Sequence, residues 1–130
     1  MPAQILLVAL GGAIGACARW GIDRLAGAEP GSIPVGATLA INLTGCLLIG
    51  LVATFLVGRV QWRAFLGAGV IGGFTTFSGF ALDSVGLVRD GQPLMAMVFV
   101  AATVGGGLLA VALGVRLAVL VRLSAEDQPA

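Results

Sequence analysis

Charged residues interrupt this chain at wide intervals, and four long apolar stretches run between them. The first extends from Pro2 to Ala18 and continues past Arg19 for another turn. The second, Gly31 to Gly58, holds no charge at all. The third, Ala64 to Leu82, lies between Arg63 and Asp83, and the fourth, Gly91 to Val115, follows the turn Arg89-Asp90-Gly91-Gln92-Pro93. A helix needs about 20 apolar residues to cross the hydrocarbon core of a bilayer, and each stretch is near or above that length. Period-2 alternation is missing, and four strands could not close a barrel, so the spans are helices. The pattern predicts an all-α membrane protein with spans at about 3–25, 33–57, 63–88 and 93–121. These form one domain over residues 1–123, followed by a polar tail over 124–130. Short connections make sequence neighbours antiparallel.

Composition strengthens this picture. In 130 residues, 58% are hydrophobic and only 10% charged, with a mean hydropathy of +1.08, too little charge to cover the surface of a soluble domain. The net charge is +1 with neither Lys nor His, which argues against a nucleic-acid partner, because neutralising phosphates takes a basic patch. Cys17 and Cys46 both fall inside apolar runs and read as small packing residues, since no His is available to complete a metal site. The first charge, Arg19, follows the first apolar run, whereas a cleaved signal peptide has its charge in front.

Arginine placement is less ordinary. On the side shared by the N-terminus, the second loop and the C-terminus lie Arg59, Arg63, Arg116 and Arg122, while Arg19, Arg24 and Arg89 lie on the other. Cytoplasmic loops normally carry a clear excess of Lys and Arg, and that excess sets orientation. So even a split implies insertion both ways round and an antiparallel dimer, unless Arg19 is buried and other signals decide.

Polar groups inside the spans are costly unless satisfied, so their positions mark interfaces or pathways. Thr38 and Asn42 share one face of the second span, with Asn42 close to its middle. The third span carries Gly72-Gly73-Phe74-Thr75-Thr76-Phe77-Ser78-Gly79-Phe80, where two glycines and two β-branched threonines make a poor helix interior. Unwinding is expected across this segment. Freed carbonyls there would need burial, water or a cation such as Na+, and two copies meeting at a symmetry axis would supply enough oxygens. Phe77 and Phe80 project from one helix face, and their ring edges can attract an anion. Asn42 and the hydroxyls of Thr75, Thr76 and Ser78 complete an uncharged, donor-rich lining, which suits conduction better than a fixed charge would. Plain helix packing explains the remaining glycines, including Gly11 with Gly15, Gly69 with Gly73, and Gly105-Gly106-Gly107.

Three motifs resemble the Fluc, or CrcB-type, family of bacterial fluoride channels. They are Gly11-Gly12-Ala13-Ile14-Gly15-Ala16-Cys17-Ala18-Arg19, Thr38-Leu39-Ala40-Ile41-Asn42-Leu43-Thr44-Gly45, and the third-span segment from Gly72 to Phe80. The resemblance implies an antiparallel, dual-topology homodimer in the bacterial inner membrane, its third helix broken mid-membrane and a structural Na+ at the dimer interface. It implies passive export of fluoride along Asn42, Phe77, Phe80, Ser78, Thr38 and Thr76, with the carbonyls of Gly72 and Thr75 on the Na+ and Arg19 at the pore mouth. The chain departs from the family pattern at Gly79, where a Thr is usual, and at Ala37, where a Gly is usual. With no Tyr present, the family's fourth-helix Tyr is replaced by Phe99, with Thr103 as a neighbouring hydroxyl. A coupled exporter of the same four-helix, dual-topology type is the alternative, although the only span carboxylates, Asp23 and Asp83, lie near span ends. A non-conducting scaffold is the third reading. No metal cluster, nucleophile–base pair or phosphate loop suggests an enzyme.

Overall fold

The computed structural model describes residues 2–27 and 35–126; the expected start of the second span at 33 and the end of the tail at 127–130 lie outside the described residues. Four helices are long and apolar enough to cross a membrane: Pro2–Leu25, Val35–Phe55, the composite span Val60–Arg89, and Pro93–Glu126. In hydrocarbon every backbone N–H and C=O must find a partner within the protein, and a helix satisfies them along its own length. Residues 124–126, expected in the polar tail, are helical, and the Ser124 hydroxyl donates to the Leu120 carbonyl at 3.1 Å.

The third and fourth spans are joined by a tight helix stop. The Gln92 amide bonds the Leu87 carbonyl at 2.8 Å and the Gly91 amide bonds that of Val88 at 3.1 Å, while Gly91 sits at φ +74°. This is the Schellman arrangement, which needs a residue free to enter the left-handed region. Pro93 then opens the next helix, where its missing N–H costs nothing.

Two glycine seams decide which helices touch. A Cβ on Gly11 would strike the Phe65 carbonyl, one on Gly15 the Val70 carbonyl, and one on Gly73 the Gly12 carbonyl. The first and third spans therefore run parallel with their backbones in contact. A Cβ on Gly106 would meet the Leu43 side chain, one on Gly107 the Cys46 sulfur and one on Gly114 the Leu47 carbonyl, so the second and fourth spans form a second parallel pair. Small residues at such positions let helices approach closely where no hydrophobic drive exists between them. Across the two pairs, the second span meets the third antiparallel: Thr38 faces Asp83, Asn42 faces Thr76, and Gly45 faces Thr75. Outward positions are apolar and open, with Leu108 70% and Leu109 73% exposed, as a lipid-facing surface requires.

Within the third span the irregularity falls elsewhere than the glycine pair. Gly72–Phe74 is α-helical, and Thr75 (φ −73°, ψ 157°) and Thr76 (φ −140°, ψ 119°) are the extended residues. Gly73 is needed for its contact with Gly12 rather than for unwinding, whereas a β-branched side chain accepts extended backbone readily. Before it, Arg63–Ile71 forms a nine-residue π-helix, far longer than the usual single wide turn. It lies where Gly11 and Gly15 press against Phe65 and Val70.

Candidate ion pathway

The site grows from the two extended threonines. The Thr75 amide and hydroxyl both donate to the Ile71 carbonyl, at 2.9 and 3.1 Å, and close the helix that precedes them. Thr76 has no helical partner for its backbone. Asn42 supplies one for each group: Oδ1 accepts from the Thr76 amide at 2.9 Å, and Nδ2 donates to the Thr76 carbonyl at 3.0 Å. A carboxamide presents its donor and acceptor side by side, as a neighbouring peptide would, so one side chain replaces a missing stretch of helix. Gly45, one turn along from Asn42, leaves room for the Thr75 methyl, which a Cβ there would strike.

Thr76 also restarts the helix. Its hydroxyl accepts from the Gly79 amide at 3.0 Å, capping Phe77–Arg89, and stands 3.3 Å from the Ser78 hydroxyl. This places a helix N-terminus, with its partial positive charge, beside Asn42. Phe77 and Phe80 lie on the first turn of that helix, ring centroids 5.7 Å apart and tilted by 47°. Phe80 in turn meets Phe99 of the fourth span at 5.5 Å and 39°.

Of the residues singled out in the sequence, Asn42, Thr75, Thr76, Ser78, Phe77 and Phe80 come together around this break. Thr38 and Arg19 do not. Thr38 is fully buried one turn before Asn42 and donates its hydroxyl proton to Asp83 Oδ2 at 2.6 Å. Its proton is therefore directed at a carboxylate of the same chain. Arg19 lies one turn beyond Gly15, 3.9 Å from Asp23, with Arg19 Nε and Asp23 Oδ1 buried and unpartnered. Among the described residues no group of three or more His, Cys, Asp or Glu is placed to hold a metal, so a cation here would rest on backbone oxygens.

The pairing of Asp83 with Thr38 and the seating of the Thr75 methyl against Gly45 escaped the sequence reading. For Asp83 a signal existed: a carboxylate just inside the end of an apolar span calls for a donor, and Thr38 lies at the matching end of the antiparallel neighbour. For Gly45 there was none, because the need for it arises only from the Thr75 methyl.

These features define a multi-pass membrane protein whose uncharged polar groups converge on the two extended residues of its third span. Residues 6–115 match the family model described as CrcB-like protein, Camphor Resistance (CrcB). The chain belongs to this family. It is 44% identical over 116 residues to the fluoride-specific ion channel FluC of Paracoccus denitrificans (strain Pd 1222), covering 88% of this chain and 93% of the relative. It is 46% identical over 113 residues to the fluoride-specific ion channel FluC 2 of Rhodococcus jostii (strain RHA1), covering 87% and 96%. To the FluC protein of Rhizobium meliloti (strain 1021) it is 42% identical over 120 residues, covering 88% and 94%.

Proposed function

We propose that this chain forms a fluoride-selective channel that lets fluoride leave the bacterial cytoplasm passively across the inner membrane, and that it is not an enzyme. The observation that carries the reading is the break at Thr75–Thr76, held by Asn42 and fronted by the Phe77–Phe80 pair, in a chain whose relatives are named fluoride-specific channels. Each element suits a small, strongly hydrated anion. The second Nδ2 proton of Asn42, the Ser78 hydroxyl, the amide-rich end of the Phe77 helix and the positive ring edges are all weak, neutral attractors. Together they replace part of a hydration shell without a fixed positive charge that would hold the ion. When the medium is acid, hydrofluoric acid enters, ionises inside and is trapped as the anion. A passive pore then drains it, driven by the negative interior.

The working unit is an antiparallel, dual-topology homodimer. Phe77 is 81% exposed on the single chain and Gly72 is exposed too, so the pathway face lies open until another surface covers it. The near-even arginine distribution supports insertion both ways round. A structural Na+ would sit on the carbonyls of Gly72 and Thr75. The donor that a regular helix would offer the Gly72 carbonyl is the Thr76 amide, and Asn42 has taken it. The Thr75 carbonyl is turned off the helix line by ψ 157°. Arg19 would act near the aqueous mouth.

Fluoride efflux from liposomes holding the purified protein, followed with a fluoride electrode, tests the assignment. Rapid fluoride release with little chloride release is expected. Comparable release of both halides, or none above empty liposomes, would refute it.

A further inference from the structure

The inward face of the fourth span is built from small residues. Ala96, Gly107, Gly114 and Ala118 are buried there, and Gly107 and Gly114 press on Cys46 and the Leu47 backbone of the second span. Phe99 breaks this rule. Only 3% exposed, it is the one buried aromatic among the described residues, and its ring meets that of Phe80 with centroids 5.5 Å apart. Exposure falls steadily along the three rings: Phe77 is 81% exposed, Phe80 half-buried, and Phe99 enclosed. A ring locked by its surroundings fixes the one it touches, while a ring open on one side fixes nothing. Constraint therefore passes from Phe99 to Phe80 and then to Phe77.

We infer that Phe99 is a positioning residue for anion passage: it sets the tilt of Phe80, and hence which part of that ring faces the gap at Thr75–Thr76. The inference rests on the fluoride reading above. The quadrupole makes orientation matter, because an edge attracts an anion and a face repels it. A side chain of similar volume without a ring would keep the two helices apart but leave Phe80 free to turn.

Fluoride and chloride release from liposomes would be measured for the wild type, Phe99→Leu, Phe99→Tyr, Phe80→Leu and the Phe80→Leu/Phe99→Leu double variant. Phe99→Leu is expected to reduce the fluoride-to-chloride ratio by about fivefold, the worth of one oriented ring pair, with Phe99→Tyr close to wild type. In the Phe80→Leu background the same substitution should change the ratio little, since its effect runs through the missing ring. Should Phe99→Leu give no folded protein, Phe99→Met replaces it in the same cycle. An unchanged ratio, or an effect undiminished without Phe80, would overturn the inference. A wild type that releases no fluoride instead overturns the channel reading on which it stands.

Discussion

Asn42 holds both backbone groups of Thr76, accepting from its amide at 2.9 Å and donating to its carbonyl at 3.0 Å. A residue expected to line an ion path supplies the backbone partners that the extended Thr76 lacks within its own span. This brace does not conflict with the proposed contact to an anion, because the carboxamide keeps one N–H beyond the one the brace uses.

Asn42→Asp retains the acceptor but sets a carboxylate oxygen against the Thr76 carbonyl, and is expected to abolish fluoride release. Asn42→Ala leaves both Thr76 groups unpaired, at about 2–4 kcal/mol of stability. Thermal unfolding in detergent checks this, and an alanine variant as stable as the wild type would remove the brace.

The glycine seams separate otherwise similar positions. Gly15→Ala must displace the Val70 carbonyl, and Gly114→Ala that of Leu47, so each should destabilise by about 1–3 kcal/mol and reduce the yield of folded protein. A Cβ on Gly12 or Gly105 meets nothing within 4 Å, so Gly12→Ala and Gly105→Ala should fold normally or gain slightly from better helix propensity. Size-exclusion profiles of the four variants distinguish the two groups.

Thr38→Val withdraws the proton that Asp83 Oδ2 receives and should cost about 1–3 kcal/mol, whereas Thr38→Ser should restore most of it. If valine and serine behave alike in thermal unfolding, the bond contributes nothing to the fold.

Replacing Na+ on both sides by a bulky organic cation should slow fluoride release or loosen the proposed dimer, with recovery when Na+ returns. Complete indifference in the liposome assay would argue against a cation on Gly72 and Thr75.

The four apolar helices were legible because burial in lipid leaves a long, uninterrupted signature. So was the meeting of Phe77 with Phe80, which follows from helical spacing alone. Propensity misled at Gly72-Gly73: both glycines stay helical, and Gly73 proved to be a contact surface for Gly12. The extended residues lie one step further on, at Thr75 and Thr76, and their place depends on Asn42 from another span. The π-helix at Arg63–Ile71 was equally hidden: its residues are ordinary helix formers and glycines, and the neighbouring backbone that presses on it lies in a different span. Pairing across spans, such as Thr38 with Asp83, cannot be read from either partner singly.

The first and second helices scarcely touch, while each lies along the helix two places later in the chain. During synthesis, the opening hairpin consequently enters the lipid with both seams vacant. The first can close only once the third span has left the insertion machinery, and the second only after the fourth. A chain stalled after residue 58 would hold Asn42 inside the bilayer with no peptide to brace, since Thr76 belongs to a span not yet made.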